Sequence, residues 1–196
     1  MASLIFVRDA KEKNLLLLGI SEEGESARYT VNLSIFRDIG APSVGDELDD
    51  EQLSSIKYTD ELLRAKKKAL NILAFADNNK RTLTAKLHRA GFSREITEAV
   101  VAEMVERGYI NELRQLERLI LNEANSKLRG PGRIIPALVA KGFSSSDVRE
   151  ALSALEESGE IDFSGNARLL LEKKLSDECD EEEAKKILFK NGFKIC

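Results

Sequence analysis

Thr82-Leu83-Thr84-Ala85-Lys86-Leu87-His88-Arg89-Ala90-Gly91-Phe92 is one of three related stretches in this chain. The others are Arg133-Ile134-Ile135-Pro136-Ala137-Leu138-Val139-Ala140-Lys141-Gly142-Phe143 and Glu183-Ala184-Lys185-Lys186-Ile187-Leu188-Phe189-Lys190-Asn191-Gly192-Phe193. Their Gly-Phe pairs lie 51 and 50 residues apart, and each has a leucine four residues before the glycine: Leu87, Leu138 and Leu188. The spacing encodes a helix stop. Glycine just past a helix end takes a left-handed backbone that other residues resist. The next residue then packs back onto the side chain five before it, which here is that leucine. Ser93 and Ser144 follow where a new helix would need an N-cap.

Working outward from these stops, each unit reads as one longer helix, one short helix ending at Gly-Phe, and a further helix. The repeats are placed at 57–110, 111–162 and 163–196, the last truncated, with its third helix missing or very short. The predicted helices are 60–77, 81–90, 94–107, 111–127, 132–141, 145–157, 166–175 and 180–191. Leu63, Leu70, Leu73 and Ala74 are taken as the apolar stripe of the first. Units of this kind bury their apolar faces against their neighbours, so an elongated, curved helical array is expected.

Residues 1–56 differ. Segments 3–8, 14–20 and 27–32 read as strands, with Ser21 to Ser26 as the turn between the last two. Leu33 to Ile39 supplies one or two helical turns. Asp49 or Asp50 is placed to cap a short helix running through Ile56. The fold class is therefore mainly α, preceded by a small strand-containing region.

The chain has 196 residues, 42% hydrophobic and 33% charged, with 3 Pro and 12 Gly. That composition excludes disordered and fibrous classes. No apolar run approaches the roughly 18 residues of a membrane span. Cys179 and Cys196 lack metal or redox spacing, and no signal peptide is visible, so a cytoplasmic protein with reduced thiols is expected.

Charge is unevenly distributed. Residues 1–56 carry 5 basic and 11 acidic side chains, residues 57–149 carry 18 and 11, and residues 150–196 carry 7 and 12. A segment of net charge +7 thus lies between acidic ends, although the whole chain is at −4. Such a segment attracts phosphate or an acidic protein surface. The candidate contact residues are Arg64, Lys67, Lys68, Lys80, Arg81, Lys86, Arg89, Lys127, Arg129, Arg133 and Lys141. Lys66 is read as snorkelling beside the core. With no Trp, 3 Tyr and 8 Phe, base stacking among them is poorly supplied.

Nothing in the sequence resembles a catalytic constellation. It has neither a phosphate-binding loop nor a Gly-x-Gly-x-x-Gly after a strand, and no nucleophile elbow. Gly130-Pro131-Gly132 reads as the start of a helix, with Pro131 in its first turn. His88 is the only histidine and is expected at the surface. Glu181-Glu182-Glu183 reads as a solvated acidic helix start rather than a metal site. No enzyme activity, cofactor or metal is expected.

The order and spacing of several segments resemble the RecX family, regulators of the bacterial RecA recombinase. These segments are Arg64-Ala65-Lys66-Lys67-Lys68-Ala69-Leu70-Asn71-Ile72-Leu73, Arg81 to Leu87, Ala90-Gly91-Phe92, Gly108-Tyr109-Ile110-Asn111, Gly130-Pro131-Gly132-Arg133-Ile134 and Lys141-Gly142-Phe143. Gly45-Asp46-Glu47-Leu48 before the first helix is similar to some members. Asn111, Glu112 and Gln115-Leu116 stand where the family usually has Asp and then a Phe-Ala pair. The resemblance implies a non-enzymatic modulator built from three-helix repeats. It implies RecA and the RecA filament on single-stranded DNA as partners, with DNA itself as a further one, and a monomer without membrane contact. Most such proteins limit filament growth, ATP hydrolysis, recombination and the SOS response, and some stabilise filaments. The competing reading is a helical-repeat nucleic-acid-binding module acting independently of RecA.

Overall fold

A computed structural model of the chain describes residues 2–76, 78–174 and 181–194. Among these residues the chain is mainly helical, with one small antiparallel sheet at its start. Two compact units emerge: Met1–Ala76 with Leu83–Arg107, and Asp77–Thr82 with Gly108–Cys196. Cys179, Cys196 and the acidic residues Asp177, Glu178 and Asp180 lie outside the described residues.

In the first unit, β1 (Ala2–Asp9), β2 (Leu15–Glu22), β3 (Glu25–Asn32) and β4 (Glu47–Leu48) form a sheet in the order β3-β2-β1-β4. The turn between β2 and β3 is tighter than the six residues the sequence suggests. Only Glu23 and Gly24 form it, both with positive φ (53° and 87°), and Glu22 pairs with Glu25. A two-residue loop of this kind matches the right-handed twist of its strands. Leu4, Leu18, Ile20 and Val31 turn to one face and make a core with Leu53 and Ile56. The short helix α1 (Leu33–Asp38) adds Phe36 to it.

One helical expectation needs correction. The short helix ending at Ile56 and the helix from residue 60 are a single element, α2 (Asp50–Phe75). Asp49 caps it by accepting from the Gln52 N–H at 2.7 Å, and Gln52 Oε1 accepts from the Asp49 N–H at 3.1 Å. Between Ile56 and Asp60 stands no glycine or proline to stop a helix. The Thr59 hydroxyl donates back to the Ser55 carbonyl at 2.8 Å, so even its polar group is absorbed locally. The buried face also differs from the expected leucine stripe: Ile56, Ala65 and Ala69 are buried, whereas Leu70 is 40% exposed. Small side chains allow α2 to lie against α4 (Arg94–Glu106), where Lys66 pairs with Glu103 at 2.7 Å. Asp60 of α2 is buried and accepts the Thr30 N–H of edge strand β3 at 2.9 Å. An otherwise open strand edge is thereby covered.

The backbone signature of all three predicted stops is present. Gly91, Gly142 and Gly192 have φ of 88°, 102° and 86°. Phe92, Phe143 and Phe193 each donate their N–H to the leucine carbonyl five residues earlier, at 3.3, 3.3 and 3.1 Å. The glycine N–H groups donate to His88, Val139 and Phe189. These bonds close α3 (Lys80–Arg89), α6 (Pro131–Ala140) and α9 (Glu181–Lys190). Ser93 and Ser144 cap α4 and α7 (Ser145–Glu157) as expected.

In the second unit, α5 (Glu112–Leu121) widens into a π-helical turn, Asn122–Ser126, where a plain helix to residue 127 is predicted. Leu116, Ile120, Ile134, Leu138, Phe143 and Leu152 share its main core. Phe193 packs with Leu128 and Leu170 of α8 (Phe163–Lys174). The ring of Phe163 meets that of Phe193 edge-on at 6.5 Å.

The stops of the second unit also make close backbone contacts. The Gly130 N–H donates to the Asn191 carbonyl at 2.9 Å, and the Gly132 N–H to the Gly192 carbonyl at 3.0 Å. A Cβ on Gly130 or Gly192 would strike the facing backbone. The end of α9 is thus seated on the start of α6. In the same way Asn79, which caps α3 by accepting from the Thr82 N–H at 2.8 Å, donates Nδ2 to the Lys141 carbonyl at 2.9 Å. At Gly91 a Cβ would meet nothing. Alanine at Gly91 should therefore cost its unit only the left-handed backbone penalty, about 1–2 kcal/mol. Alanine at Gly192 should cost a further 1–3 kcal/mol or so, because the Arg133 backbone blocks it. Denaturant unfolding of the two variants, read in each unit, checks the difference.

Candidate functional site

The eleven candidate cations come from both units, and most are exposed. On α2, Arg64, Lys67 and Lys68 are exposed. Arg64 Nε is held by the buried Asp60 at 2.7 Å, so it braces a strand-edge contact. Lys67 and Lys68 have no ion-pair partner among the described residues. Phe75, eleven residues after Arg64 on the same helix, is 91% exposed, an aromatic on the basic helix that spacing alone leaves unplaced. Lys86 and Arg89 are exposed on α3.

In the second unit, Lys80 pairs with Glu112 at 3.5 Å, and Glu112 also accepts the Lys80 N–H at 2.8 Å. Arg81 lies against Gly142, its Cδ 3.1 Å from where a Cβ there would sit. The seating of Lys141-Gly142 on Asn79 thus brings Arg81 and Lys141 together across sixty residues of sequence. Arg133 lies against Gly192 in the equivalent contact. Both arginines stand at a helix start, where the dipole disfavours them, yet beside another helix's carbonyl end, which favours them.

Lys127 and Arg129 have a different role from the one expected. They do not simply join Arg133 around the Gly130-Pro131 turn. Both grip Glu123, a carboxylate only 3% exposed. The Lys127 bond is 2.6 Å, and Arg129 Nη1 contacts the other carboxylate oxygen. Burial pushes the Glu123 carboxyl up. The Lys127 hydrogen bond and the Arg129 and Lys127 charges outweigh it and hold the carboxyl below the usual carboxylate range. Nothing in the sequence pattern singles out Glu123. Its burial follows from the π turn, which places it and Ala124 inside. The same turn presents Asn125, which donates to the Glu160 carbonyl and accepts from Asn166. Asn79 is equally unremarkable in sequence. Neither its capping of α3 nor its reach to Lys141 is among the sequence expectations.

His88 is exposed, and Glu181 to Glu183 form the exposed first turn of α9. Among the described residues no group of three or more His, Cys, Asp or Glu side chains could hold a metal ion. No described helix is long and apolar enough to cross a membrane.

The chain is similar to proteins named regulatory protein RecX. Regulatory protein RecX of Clostridioides difficile strain 630 is 32% identical over 143 residues, covering 73% of this chain and 65% of that protein. Regulatory protein RecX of Stenotrophomonas maltophilia strain R551-3 is 30% identical over 131 residues, and the match covers 77% of it. This chain belongs to the RecX family. A crystal structure of a regulatory protein RecX matches 99% of this chain and 95% of its own, with a TM-score of 0.72 at 21% identity. RecX from Lactobacillus salivarius matches with a TM-score of 0.59 at 19% identity. Both RecX structures confirm the fold. No family model matches the chain. The chain spans 65% and 57% of the C. difficile and Leuconostoc mesenteroides RecX proteins.

The Glu123 cluster makes a prediction with a definite sign. A carboxyl whose folded pKa is depressed adds stability that is present above its unfolded value of about 4.3 and is lost as pH falls through the folded pKa. The second unit should lose stability below about pH 4.3 in part through this group. Glu123→Gln should cost roughly 1.5–3 kcal/mol at neutral pH and flatten that acid-side loss. Thermal melts of both proteins between pH 3 and 7 measure it.

Proposed function

We propose that this protein binds RecA and the RecA filament on single-stranded DNA, and restrains filament growth, ATP hydrolysis and recombination. Membership of a family of regulatory proteins carries the reading. The physical chemistry supports it. The middle segment is basic, and Lys67, Lys68, Arg81, Arg89, Arg133 and Lys141 are exposed there without ion-pair partners among the described residues. Exposed cations free of partners can meet phosphate or carboxylate without first breaking an internal pair. Action of this kind is steric and electrostatic and needs no cofactor or covalent chemistry. The protein works as a monomer in the cytoplasm, and DNA is a direct partner within the filament. Arg64, Lys80, Lys127 and Arg129 are weaker candidates, because each is committed to a carboxylate.

RecA ATPase on single-stranded DNA, with substoichiometric amounts of this protein, is the test. The rate should fall progressively. Lys67→Glu with Lys68→Glu should raise the amount needed at least about tenfold, while the fold, read by circular dichroism, stays unchanged. A flat rate with filaments present would sink the inhibitory reading. Salt-dependent DNA binding with no effect on RecA would support instead a nucleic-acid-binding module independent of it, the reading that the +7 segment by itself allows.

A further inference from the structure

The outer face of the N-terminal sheet carries a layered aromatic–cation platform. Strict alternation from buried Leu4 would send Phe6 into the core. The pairing register shifts between Leu4 and Phe6, with Leu4 opposite Ile20 and Phe6 opposite Gly19. That bulge leaves Ile5 42% exposed and turns Phe6 to the outer face. Bulges re-aim side chains in this way. Gly19 interrupts an otherwise apolar strand, Leu15 to Ile20, and a Cβ there would clash with the Phe6 ring, 2.2 Å from its Cε1. The ring therefore lies directly against the bare backbone of Gly19. Above it sits the Arg8 guanidinium, 5.0 Å from the ring centre. Arg28, paired with Gly19 from β3, shares this face on the far side of the glycine.

Charge is segregated to match. Asp9, Glu22 and Glu25 pair with Leu16, Glu25 and Glu22, and so have the parity of the inner face. Glu22 is moreover paired with Lys57 of α2 at 2.7 Å. The only strand carboxylate of outer parity is Glu47, opposite Ser3 on β4, three residues along β1 from Phe6. The outer face of β1–β3 thus holds two exposed arginines and no acid, within a region that is acidic overall.

We propose that this face binds single-stranded nucleic acid. A base stacks on the Arg8 guanidinium, which the Phe6 ring backs, and Arg28 contacts a phosphate beside it. A planar, weakly hydrated guanidinium offers a base both stacking and charge. Backing it with an aromatic ring removes the entropy cost of ordering it. A purely acidic protein surface would need the arginines and would have no use for the bulge, the glycine and the ring behind Arg8. The contact uses none of the eleven candidate cations and needs no RecA.

The test is binding of the full chain to a fluorescein-labelled oligo(dT) without RecA, read by anisotropy over a salt series. Arg8→Gln with Arg28→Gln should weaken binding roughly tenfold and lower the slope of log K against log salt by about 0.7, as the one lost phosphate contact of Arg28 requires. Phe6→Leu should weaken it about fivefold or more. Thermal melts will show whether any variant has lost its fold. Because both arginines are exposed, their double variant keeps the test open if Phe6→Leu unfolds. With an iodouracil-containing strand, crosslinks should map to the peptide bearing Phe6 and Arg8. Three results would overturn the proposal: no binding by the wild-type chain, unchanged binding by the double arginine variant, or crosslinks confined to the helices. Unchanged DNA binding with a weakened effect on RecA would make the face a protein contact instead.

Discussion

In the second unit, the unsatisfied end of one helix is answered by the unsatisfied start of another. Every helix leaves surplus carbonyls at its end and surplus N–H groups at its start. The N–H groups of Gly130 and Gly132 take the last carbonyls at the end of α9, and the Asn79 amide takes that of Lys141. The fit demands backbone against backbone, and only glycine allows that at 130 and 192. The small cluster around Phe193 and the placing of α9 follow from this contact.

The same contacts organise charge. A cation at a helix start is unfavourable alone, yet Arg81 and Arg133 each stand where another helix ends. The neighbouring helix end favours their charge without a carboxylate, and both residues stay exposed. Glu123 works the opposite way. It takes two cations out of circulation to hold the π turn and the residues after it in place. A count of Lys and Arg cannot distinguish these fates, because both kinds sit in the same basic segment.

The sheet shows how one irregularity changes what a strand presents. Without the bulge at Ile5, alternation from Leu4 would turn Phe6 to the core side of the sheet. With it, Phe6 and Arg8 stack over Gly19. Asp60 guards the outer edge of β3 from the other side, so the sheet's faces and its edge are handled by different residues.

By itself the sequence determined the elements whose signals are local. The three stops, the Ser93 and Ser144 caps, Pro131 at a helix start and the strands before residue 33 all depend on neighbours within a few residues. Backbone sterics and capping act over that range. The RecX-family resemblance also rests on the order of such local signals. Tertiary structure decided the rest. It merged the two helices around Ile56 because no breaker separates them and the sheet gives Leu53 and Ile56 a core. It chose Ala65 and Ala69 over the leucines as the buried face, since close approach to α4 favours small side chains. It assigned Lys127 and Arg129 to Glu123, and it turned Phe6 outward. Each of these depends on a partner distant in sequence or on one extra residue in a register. Local propensity carries no record of either.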